Sequence, residues 1–496
     1  MTDALHPPDP VASRATGDLL DPLIGPWLKG FPAFQAPLRR SQIGAQGWQV
    51  LQGDLPMPIA VIRQERLQHN LGWMQRFVEG HGIGFAPHGK TTLSPQLFAA
   101  QLGAGAWGIT VANVSQATLA FASGAHNVLI ANQVLNAVEL RGLAAQLAEG
   151  GSGGGSTGGS TGGSTGGSTG GSAGGSANEG PELMGRVSTR GAGDAPPQRR
   201  APFLLDSLAQ LHAIEAVVAT HALAPFEVLL ELGIVGGRTG VRSTEDAFAL
   251  ARAARASAAV RLVGVECYEG LWTRGDDDAA DRAVVDDLLG RSMALARRID
   301  DELGFETNTV LVSAGGSAVF DLVAPWLNPG LSKPVQGLLR SGCYVTHDQG
   351  RYTRLVAQVN RRLGIECQSG LQAALEVWAT VQSMPEPGLA ILSVGRRDIS
   401  TDMDLPLPIA LCRAGQTEPS PMPAGWRITG LNDQHAYLKF EASGVVTAGA
   451  EGQTALAVGD RIGLGLSHPC TTFDKWRWIA VVDEDYRVVD AVVTWF

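Results

Sequence analysis

Short apolar runs alternate with longer amphipathic segments from residue 63 to residue 355. The apolar runs begin at residues 83, 107, 127, 202, 227, 261, 309 and 337, and read IGFAP, WGITVA, NVLIA, PFLLD, EVLLEL, RLVGVE, TVLVS and GLLR. Runs of this length that are rich in Val, Ile and Leu are typical of buried strands, and the segments between them are typical of helices. Strands that alternate with helices in this way predict an α/β fold, a closed (β/α)8 barrel over residues 63–355.

The pattern changes at about residue 356. From there to residue 496 the apolar runs are β-rich, alternate with polar positions and are separated by turn residues, as in HAYLKFEA and DRIGLGLSH. Alternation of period two predicts a mostly β C-terminal domain. The run MPIAVI precedes the first predicted helix, so we expect residues 55–62 to add a strand to that domain. Residues 1–54 are then an N-terminal extension.

A low-complexity segment interrupts the barrel region. Residues 151–178 contain little besides Gly, Ser and Thr, and polar sequence continues to about residue 200. Such a composition cannot bury apolar surface, and it predicts a flexible tether. Because strands and helices alternate on both sides, we interpret residues 150–200 as an insert in one barrel loop. Loops tolerate such inserts, since the entropy of loop closure grows slowly with length.

Composition limits the class of protein. Hydrophobic residues make up 44% and charged residues 17% of the chain, and the net charge is −10, which disfavours a nucleic-acid partner. Five scattered cysteines predict a reduced, cytoplasmic protein without a disulfide framework. The sequence contains neither an apolar signal core nor a stretch long enough to span a membrane. We therefore expect a cytoplasmic enzyme.

Chemically distinctive residues follow several predicted barrel strands, where the active sites of such barrels lie. They are Lys90 in PHGKT, Arg238 in GGRTGV, Tyr268 in ECYEG, the group Gly315, Gly316 and Ser317, and the segment RSGCYVTHD at 340–348. Two adjacent glycine-containing loops can present backbone N–H groups to a phosphate. The Walker and GxGxxG phosphate motifs are absent. A phosphate site with a nearby lysine suggests pyridoxal phosphate, whose aldehyde forms a Schiff base with a lysine amine.

These motifs, together with PHGKTTLSPQLF and HPCTTFDKW, resemble the fold-type III pyridoxal-phosphate enzymes with an alanine-racemase-like barrel. Within that group the sequence is most similar to the D-serine dehydratase and D-threonine aldolase branch, over about residues 55–496 apart from the insert. The resemblance implies that Lys90 is catalytic and carries pyridoxal 5'-phosphate. It implies that the cofactor-binding residues are Lys90, Arg238, Tyr268, Gly315, Gly316, Ser317, Gly342 and Tyr344.

A His-x-Cys pair, His468 and Cys470, lies near the end of the sequence. On an extended segment both side chains would face the same side, as two metal ligands or simply as neighbours in one pocket. The resemblance implies that they bind zinc beside the cofactor, as in the D-serine dehydratases, whereas D-threonine aldolases carry His-x-Asp. An imidazole with a thiolate favours zinc, while carboxylates favour harder ions.

The resemblance implies an ammonia-lyase that converts D-serine, or a related β-hydroxy D-amino acid, to a 2-oxo acid and ammonia. Lys90 would remove the α-proton, and zinc would assist loss of the β-hydroxyl. D-threo-3-hydroxyaspartate as substrate, metal-dependent aldol cleavage, and a non-catalytic pyridoxal-phosphate carrier remain alternatives. Family analogy also implies a homodimer.

The sequence leaves open whether other polar residues have a functional or a structural role. His435, Asp348 and Asp402 could line or support the site, or serve as structural hydrogen-bonding groups. His88 is expected to shape the turn at Lys90. The cysteines other than Cys470 have no partner spacing and are expected to be structural thiols.

Overall fold

A computed structural model describes residues 19–149, 198–273, 275, 278–366, 369–441 and 456–496. Within these ranges eight parallel strands form one sheet in which neighbours in sequence are neighbours in space. Each strand overlaps one of the apolar runs that predict it. The strands are Gly84–Phe85, Ile109–Val111, Val128–Gln133, Phe203–Leu205, Phe226–Leu232, Val260–Cys267, Val310–Ala314 and Val335–Leu339.

The sheet closes on itself between its first and second strands. The backbone N–H of Trp107 donates to Phe85 O at 2.7 Å, and that of Thr110 donates to Pro87 O at 2.9 Å. His88 and Thr110 add a parallel bridge just beyond the first strand. The eighth strand pairs with the first on its other side. The (β/α)8 barrel that the sequence predicts is therefore confirmed.

Helices surround the barrel, and several begin at residues with strong capping side chains. Ser94, Asn113, Ser207 and Ser243 each accept a backbone N–H from the first turn of the following helix. No helix in the described ranges is both long and apolar enough to cross a bilayer. The helices of this region are Gln64–Gly80, Pro95–Gly103, Val114–Ala122, Ala137–Glu149, Leu208–His221, Thr244–Ala256, Asp278–Glu302, Phe320–Val323 and Arg351–Leu363.

The barrel interior below its upper rim is filled by apolar side chains from successive strands. Burial of each aliphatic side chain contributes about 1.5–3 kcal/mol. The filled interior leaves room for ligands only at the rim where the strands end. The residues are Ala86, Leu129, Leu204, Leu229, Val263, Leu311 and Leu338.

The C-terminal region is built from mostly antiparallel strands. One strand from before the barrel, Ile59–Arg63, pairs with strand Leu375–Glu386 and also, in parallel, with strand Trp478–Val482. Residues 19–54, with two short strands, Leu23–Ile24 and Leu38–Arg39, and a short helix, Arg40–Ile43, pack against this sheet through a shared apolar cluster. The other strands are Leu389–Leu392, Leu407–Cys412, Ser420–Pro421, Arg427–Leu431, Ala436–Lys439, Arg461–Gly465 and Val488–Val493.

The predicted domain boundary between residues 355 and 356 falls inside the helix Arg351–Leu363. This helix is strongly amphipathic, with Tyr352, Leu355 and Val356 among its buried residues. A helix is a single packing unit, so we propose that the boundary lies after Leu363.

The two flanks of the insert meet in space. Arg199 Nη1 lies 3.3 Å from Glu149 Oε2, so an ion pair joins the residues on either side of the gap. The strand before the gap pairs with the strand after it, Ile130 opposite Phe203. Both flanks thus belong to one barrel, and the predicted tether itself lies outside the described residues.

One buried glutamine contacts both ends of the described chain. Gln96 Nε2 donates to the carbonyl oxygens of Leu19 and Leu20 at 3.0 and 3.1 Å. Its Oε1 accepts the N–H of Val493 at 3.1 Å. The first described residues and the last strand are therefore held against the same barrel helix.

Candidate active site

A cavity of about 450 Å³ lies at the upper rim of the barrel, where it meets the C-terminal domain. Its wall combines loops that follow barrel strands with residues from two C-terminal segments, around Met403 and His468. The fold brings together most of the residues singled out in the sequence. Those that line the cavity are Lys90, Arg238, Tyr268, Gly315, Gly316, Ser317, Gly342, His468 and Cys470.

Lys90 lies in a tight 3₁₀ turn, Gly89–Thr91, directly after the first barrel strand. Gly89 has no room for a side chain, because a Cβ there would lie 2.7 Å from Phe98 and 2.8 Å from Ile109. The Lys90 side chain lines the cavity and remains exposed to it. Partial desolvation at the cavity lowers the pKa of Lys90, and the charges of nearby arginines lower it further, against the opposing effect of Cys470.

His88 lies beside this turn and also lines the cavity. Its Nδ1 is buried and has no hydrogen-bond partner in the structure. Burial, and then the positive charge of Lys90, hold the pKa of His88 well below its ordinary value. His88 is therefore a neutral imidazole whose Nδ1 is available for a hydrogen bond with a ligand.

His468 and Cys470 lie at the start of a short helix, Pro469–Phe473, and not on an extended segment as the sequence interpretation assumed. His468 is the residue before the helix, and Pro469 occupies the first helical position, where proline is favoured because its missing N–H needs no partner. The two side chains nevertheless line one cavity. The two residues line the same cavity because they lie at the start of a helix, and not because side chains alternate along a strand.

Asp402 supports His468 from the side away from Cys470. The carboxylate Oδ2 lies 2.5 Å from His468 Nδ1, and Oδ1 accepts the hydroxyl of Thr471 at 2.8 Å. A hydrogen bond with Cys470, and then the one with Asp402, raise the pKa of His468 to about 9. Asp402 thus fixes the ring by its Nδ1, so that Nε2 is the nitrogen on the other side of the ring.

Cys343 is a cavity residue that the sequence analysis treated as a structural thiol. Its Sγ lies 3.7 Å from Cys470 Sγ, and Cys470 Sγ lies 3.4 Å from Thr91 Oγ1. The hydrogen bond from Cys343, and then those from His468 and Thr91, lower the pKa of Cys470 well below its ordinary value. Cys343 and Cys470 are 127 residues apart, so no local spacing could have indicated the pair.

The glycine loop after the seventh strand differs from the predicted phosphate cradle. Glu269, which is completely buried, accepts the N–H of Gly315 at 3.2 Å and that of Gly316 at 2.8 Å. A buried carboxylate needs such donors, so these two N–H groups are already used. Gly316 still shapes the wall, because a Cβ there would lie 2.9 Å from the ring of Tyr268.

Tyr344 does not line the cavity, contrary to the sequence prediction. It is 2% exposed, its ring packs edge-on against Phe85, and its hydroxyl accepts from Gln101 Nε2 at 3.2 Å. Tyr352, eight residues further along the chain, lines the cavity instead, and its buried hydroxyl has no hydrogen-bond partner among the described residues. The 3₁₀ turn Cys343–Val345 directs Tyr344 into the core.

Arg238 and Tyr268 lie together at the cavity wall, as predicted neighbours of a cofactor. The guanidinium carbon of Arg238 is 5.4 Å from the centre of the Tyr268 ring. Burial, with the negative charge of Glu269, raises the pKa of Tyr268 to about 12. Tyr268 is therefore a neutral phenol at physiological pH.

Arg340 and Glu266 form a buried ion pair in the cavity wall that the sequence analysis missed. Arg340 Nη2 also donates to Cys267 O at 2.9 Å. Burial raises the pKa of Glu266 to about 7, against the opposing charge of Arg340. Arg340 lies in the quoted segment RSGCYVTHD, but only the folded barrel shows that it turns inward.

Of the remaining candidates, Asp348 lies at the cavity and His435 does not. Asp348 is buried and accepts the N–H groups of Gly350, Tyr352 and Thr353, so it caps the helix Arg351–Leu363 at the cavity edge. His435 is exposed and is not part of the cavity wall.

Comparison with known proteins finds dehydratases and aldolases. A family model described as "Putative serine dehydratase domain" matches residues 374–482, the region that contains His468 and Cys470. D-threonine aldolase from Arthrobacter sp. is 24% identical over 428 residues, which cover 86% of this chain and 88% of the relative. D-threo-3-hydroxyaspartate dehydratase from Delftia sp. (strain HT23) is 26% identical over 428 residues, 84% of this chain and 92% of the relative. The chain is thus similar, over most of its length, to a D-threonine aldolase and a D-threo-3-hydroxyaspartate dehydratase.

Solved structures support the fold. D-threonine aldolase from Filomicrobium marinum has a TM-score of 0.65 at 20% identity, covering 90% of this chain and 96% of that chain. The Delftia dehydratase has a TM-score of 0.61 at 24% identity, covering 90% and 99%. The relatives thus include both a dehydratase and aldolases, that is, carbon–oxygen and carbon–carbon lyases.

Proposed function

We propose that this chain is a pyridoxal-phosphate- and zinc-dependent lyase that converts D-serine, or a related β-hydroxy D-amino acid, to a 2-oxo acid and ammonia. One observation carries the proposal: Lys90 of the barrel and the His468–Cys470 pair of the C-terminal domain line the same cavity. Cys470 Sγ lies 3.4 Å from the hydroxyl of Thr91, the residue next to Lys90. The amine of Lys90 and the imidazole–thiol pair therefore line one cavity.

The residues of the cavity fit pyridoxal phosphate. A volume of about 450 Å³ lies within the range of sites for cofactors and small molecules. Among the described residues, the buried hydroxyl of Tyr352 and Nδ1 of His88 lack hydrogen-bond partners and can receive polar groups of a ligand. Lys90 would hold the cofactor through its amine, with Arg238, Tyr268, Ser317 and Gly342 around it. When bound, the cofactor supplies an electron sink for charge that develops at the substrate α-carbon.

His468 and Cys470 fit zinc by the chemistry of their donor atoms. A thiolate and an imidazole suit zinc better than magnesium or manganese. Asp402 Oδ2 lies 2.5 Å from His468 Nδ1, which orients the ring and leaves Nε2 as the nitrogen that would bind the metal. No cluster of three or more metal-ligating side chains is present among the described residues, so the proposed site has two protein ligands. Such a site keeps open positions, and its zinc would act as a Lewis acid toward the substrate hydroxyl.

The residues of the chain itself supply the base. Burial lowers the pKa of Lys90, so a larger fraction of its Nζ is unprotonated near neutral pH than for a surface lysine. In the proposed mechanism that nitrogen takes up the α-proton of the substrate. Tyr268 keeps its proton near neutral pH, because its pKa is raised to about 12, so its hydroxyl can donate a hydrogen bond but is not a base.

The first experiment tests Lys90. Lys90→Ala should abolish the visible absorbance of the lysine-bound cofactor and reduce turnover of D-serine by about 10³-fold or more, as expected for loss of a general base. Lys439→Ala changes an exposed lysine on a distant strand and should leave both unchanged. A persistent absorbance band in Lys90→Ala would remove Lys90 from its proposed role.

The second experiment tests the metal and the reaction type. The chain should be assayed with D-serine, L-serine, D-threonine and D-threo-3-hydroxyaspartate before and after chelation, with products identified. We expect a 2-oxo acid and ammonia from a D substrate, and loss of activity on chelation that zinc restores. Full turnover of D-serine by chelated protein would contradict the zinc role.

An aldolase is the second candidate function, because D-threonine aldolase from Arthrobacter sp. matches this chain over a comparable length and identity. Cys470 argues against it on ligand chemistry, since harder ions prefer carboxylates. Release of glycine and an aldehyde in the product assay would establish aldol cleavage. A chain that binds the cofactor but is inert with every β-hydroxy D-amino acid would instead be a cofactor carrier.

A further inference from the structure

Two thiols from different domains face each other in the cavity. Cys343 lies in the 3₁₀ turn Cys343–Val345 after the eighth barrel strand, and Cys470 lies in the helix Pro469–Phe473. Their sulfur atoms are 3.7 Å apart, and both residues are partly accessible through the cavity. Small side-chain rotations would close the remaining distance of about 1.7 Å to a disulfide bond length.

The other described cysteines lack this arrangement. Cys267 is completely buried in the barrel, where its pKa is raised by burial, and does not line the cavity. Cys412 is also completely buried, and its thiol lies 3.2 Å from Gln416 O. Buried thiols of this kind are inert, whereas accessible adjacent thiols are the ones that oxidise reversibly. Cys367 lies outside the described residues.

We propose that Cys343 and Cys470 are a modification site at which a hydroperoxide forms a reversible disulfide. One thiol attacks a peroxide oxygen, and the O–O bond breaks to give a sulfenic acid and water. The second thiol then attacks that sulfur, the S–S bond forms, and the sulfenic oxygen leaves as a second water molecule. Overall, two thiols are oxidised by two electrons and one hydrogen peroxide is reduced to two waters.

The disulfide has two structural consequences. It joins the barrel to the C-terminal domain between residues 127 positions apart. It also removes the thiolate of Cys470, and a disulfide sulfur is a poor metal ligand compared with a thiolate. This second consequence rests on the proposed function: zinc at His468 and Cys470 would be released when the bond forms.

The crosslink is tested on the cofactor-loaded, full-length protein. The protein is treated with hydrogen peroxide, free thiols are alkylated, and the peptides are mapped by mass spectrometry without reduction. We expect a peptide pair joined through Cys343 and Cys470, with a mass lower by two hydrogens than the two thiol peptides, and its loss with dithiothreitol. Oxidation of Cys470 to a sulfinic acid without any joined peptide would overturn the proposal.

Cys343→Ser and Cys412→Ser form a matched pair of variants. Cys343→Ser keeps a small polar side chain but should form no joined peptide. Without the second thiol, excess peroxide should oxidise the Cys470 sulfenic acid further to a sulfinic acid, which dithiothreitol does not reduce. Cys412→Ser should form the crosslink as the original chain does. No more sulfinic acid at Cys470 in Cys343→Ser than in the original chain would contradict the proposal, and crosslink mapping of the unchanged chain tests it even if a variant does not fold.

Zinc release separates this inference from the proposed function. A chromophoric chelator should report release of zinc in step with formation of the joined peptide. A crosslink that forms without release of zinc would support the modification site but contradict zinc ligation by Cys470.

Discussion

At the scale of single residues, Asp402 shows how the site is prepared for a ligand. Asp402 lies in the C-terminal domain. Its carboxylate is 2.5 Å from His468 Nδ1 and accepts a hydrogen bond from the hydroxyl of Thr471 at 2.8 Å, so it contacts the residues on both sides of the Pro469–Cys470 step. A histidine ligand held in this way presents one nitrogen in a fixed direction, which removes an orientational cost from metal binding.

Asp402→Ala should weaken zinc binding by about 10- to 100-fold, the usual effect of removing a hydrogen-bonding partner behind a histidine ligand. Competition with a chromophoric chelator measures the affinity. Asp404→Ala is the matched control, because Asp404 pairs with Arg354 near the protein surface and does not contact His468. Equal affinities for the two variants would show that Asp402 does not support the metal ligand.

Tyr352→Phe should weaken binding of pyridoxal phosphate by about 10- to 100-fold, the loss expected for one hydrogen bond to a charged group. The reason is that the Tyr352 hydroxyl is buried at the cavity without a partner in the protein. Equilibrium titration of the apoprotein with the cofactor provides the measurement.

Tyr344→Phe is the control for that change. Tyr344 bonds to Gln101 in the core, so its loss should cost about 1 kcal/mol of stability and leave cofactor affinity unchanged. If Tyr344→Phe were the variant with weakened cofactor binding, the original sequence prediction for Tyr344 would be restored.

At the scale of elements, the turn Gly89–Thr91 and the helix Pro469–Phe473 are the two short pieces that carry the proposed chemistry. Their proximity is direct, since Thr91 and Cys470 contact each other at 3.4 Å. Each element is fixed by local chemistry, a crowded glycine in one case and a proline at the first helical position in the other. The motif residues therefore depend on backbone conformations that few substitutions preserve.

Gly89→Ala should destabilise the protein by about 1–3 kcal/mol, because the added methyl group overlaps Phe98 and Ile109 in a packed core. Denaturant unfolding measures the loss, and the visible absorbance of the bound cofactor reports whether Lys90 is displaced. Gly80→Ala serves as control, since a Cβ there has nothing within 4 Å. Similar stabilities for the two variants would show that the turn can relax.

At the scale of the whole molecule, the barrel was predictable because each strand is a buried run bounded by polar segments. The assignment of Lys90, His468 and Cys470 to one site came from motifs and a family resemblance, and the fold places all three at one cavity. Cys343 and Arg340 were missed because their partners, Cys470 and Glu266, are distant in sequence. Only tertiary contacts distinguish such residues from ordinary core residues.

Deletion of residues 151–197, with a short glycine–serine link in their place, should leave a folded protein that binds the cofactor normally. The ion pair between Glu149 and Arg199 already brings the flanks together, and the adjacent strands pair across the gap. Thermal unfolding and cofactor absorbance, compared with the full chain, are the measurements. An insoluble product or a lost absorbance band would show that the insert contributes to the fold.

The hydrogen bonds of Gln96 indicate that the chain could be circularly permuted. Because a single side-chain amide bonds to Leu19 and Leu20 and also to Val493, the two natural ends of the described fold lie side by side. A circular permutant that joins these ends and opens between Glu149 and Arg199 would keep every barrel strand in place. New termini beside the helix Ala137–Glu149 would make this scaffold suitable for fusion to a second protein.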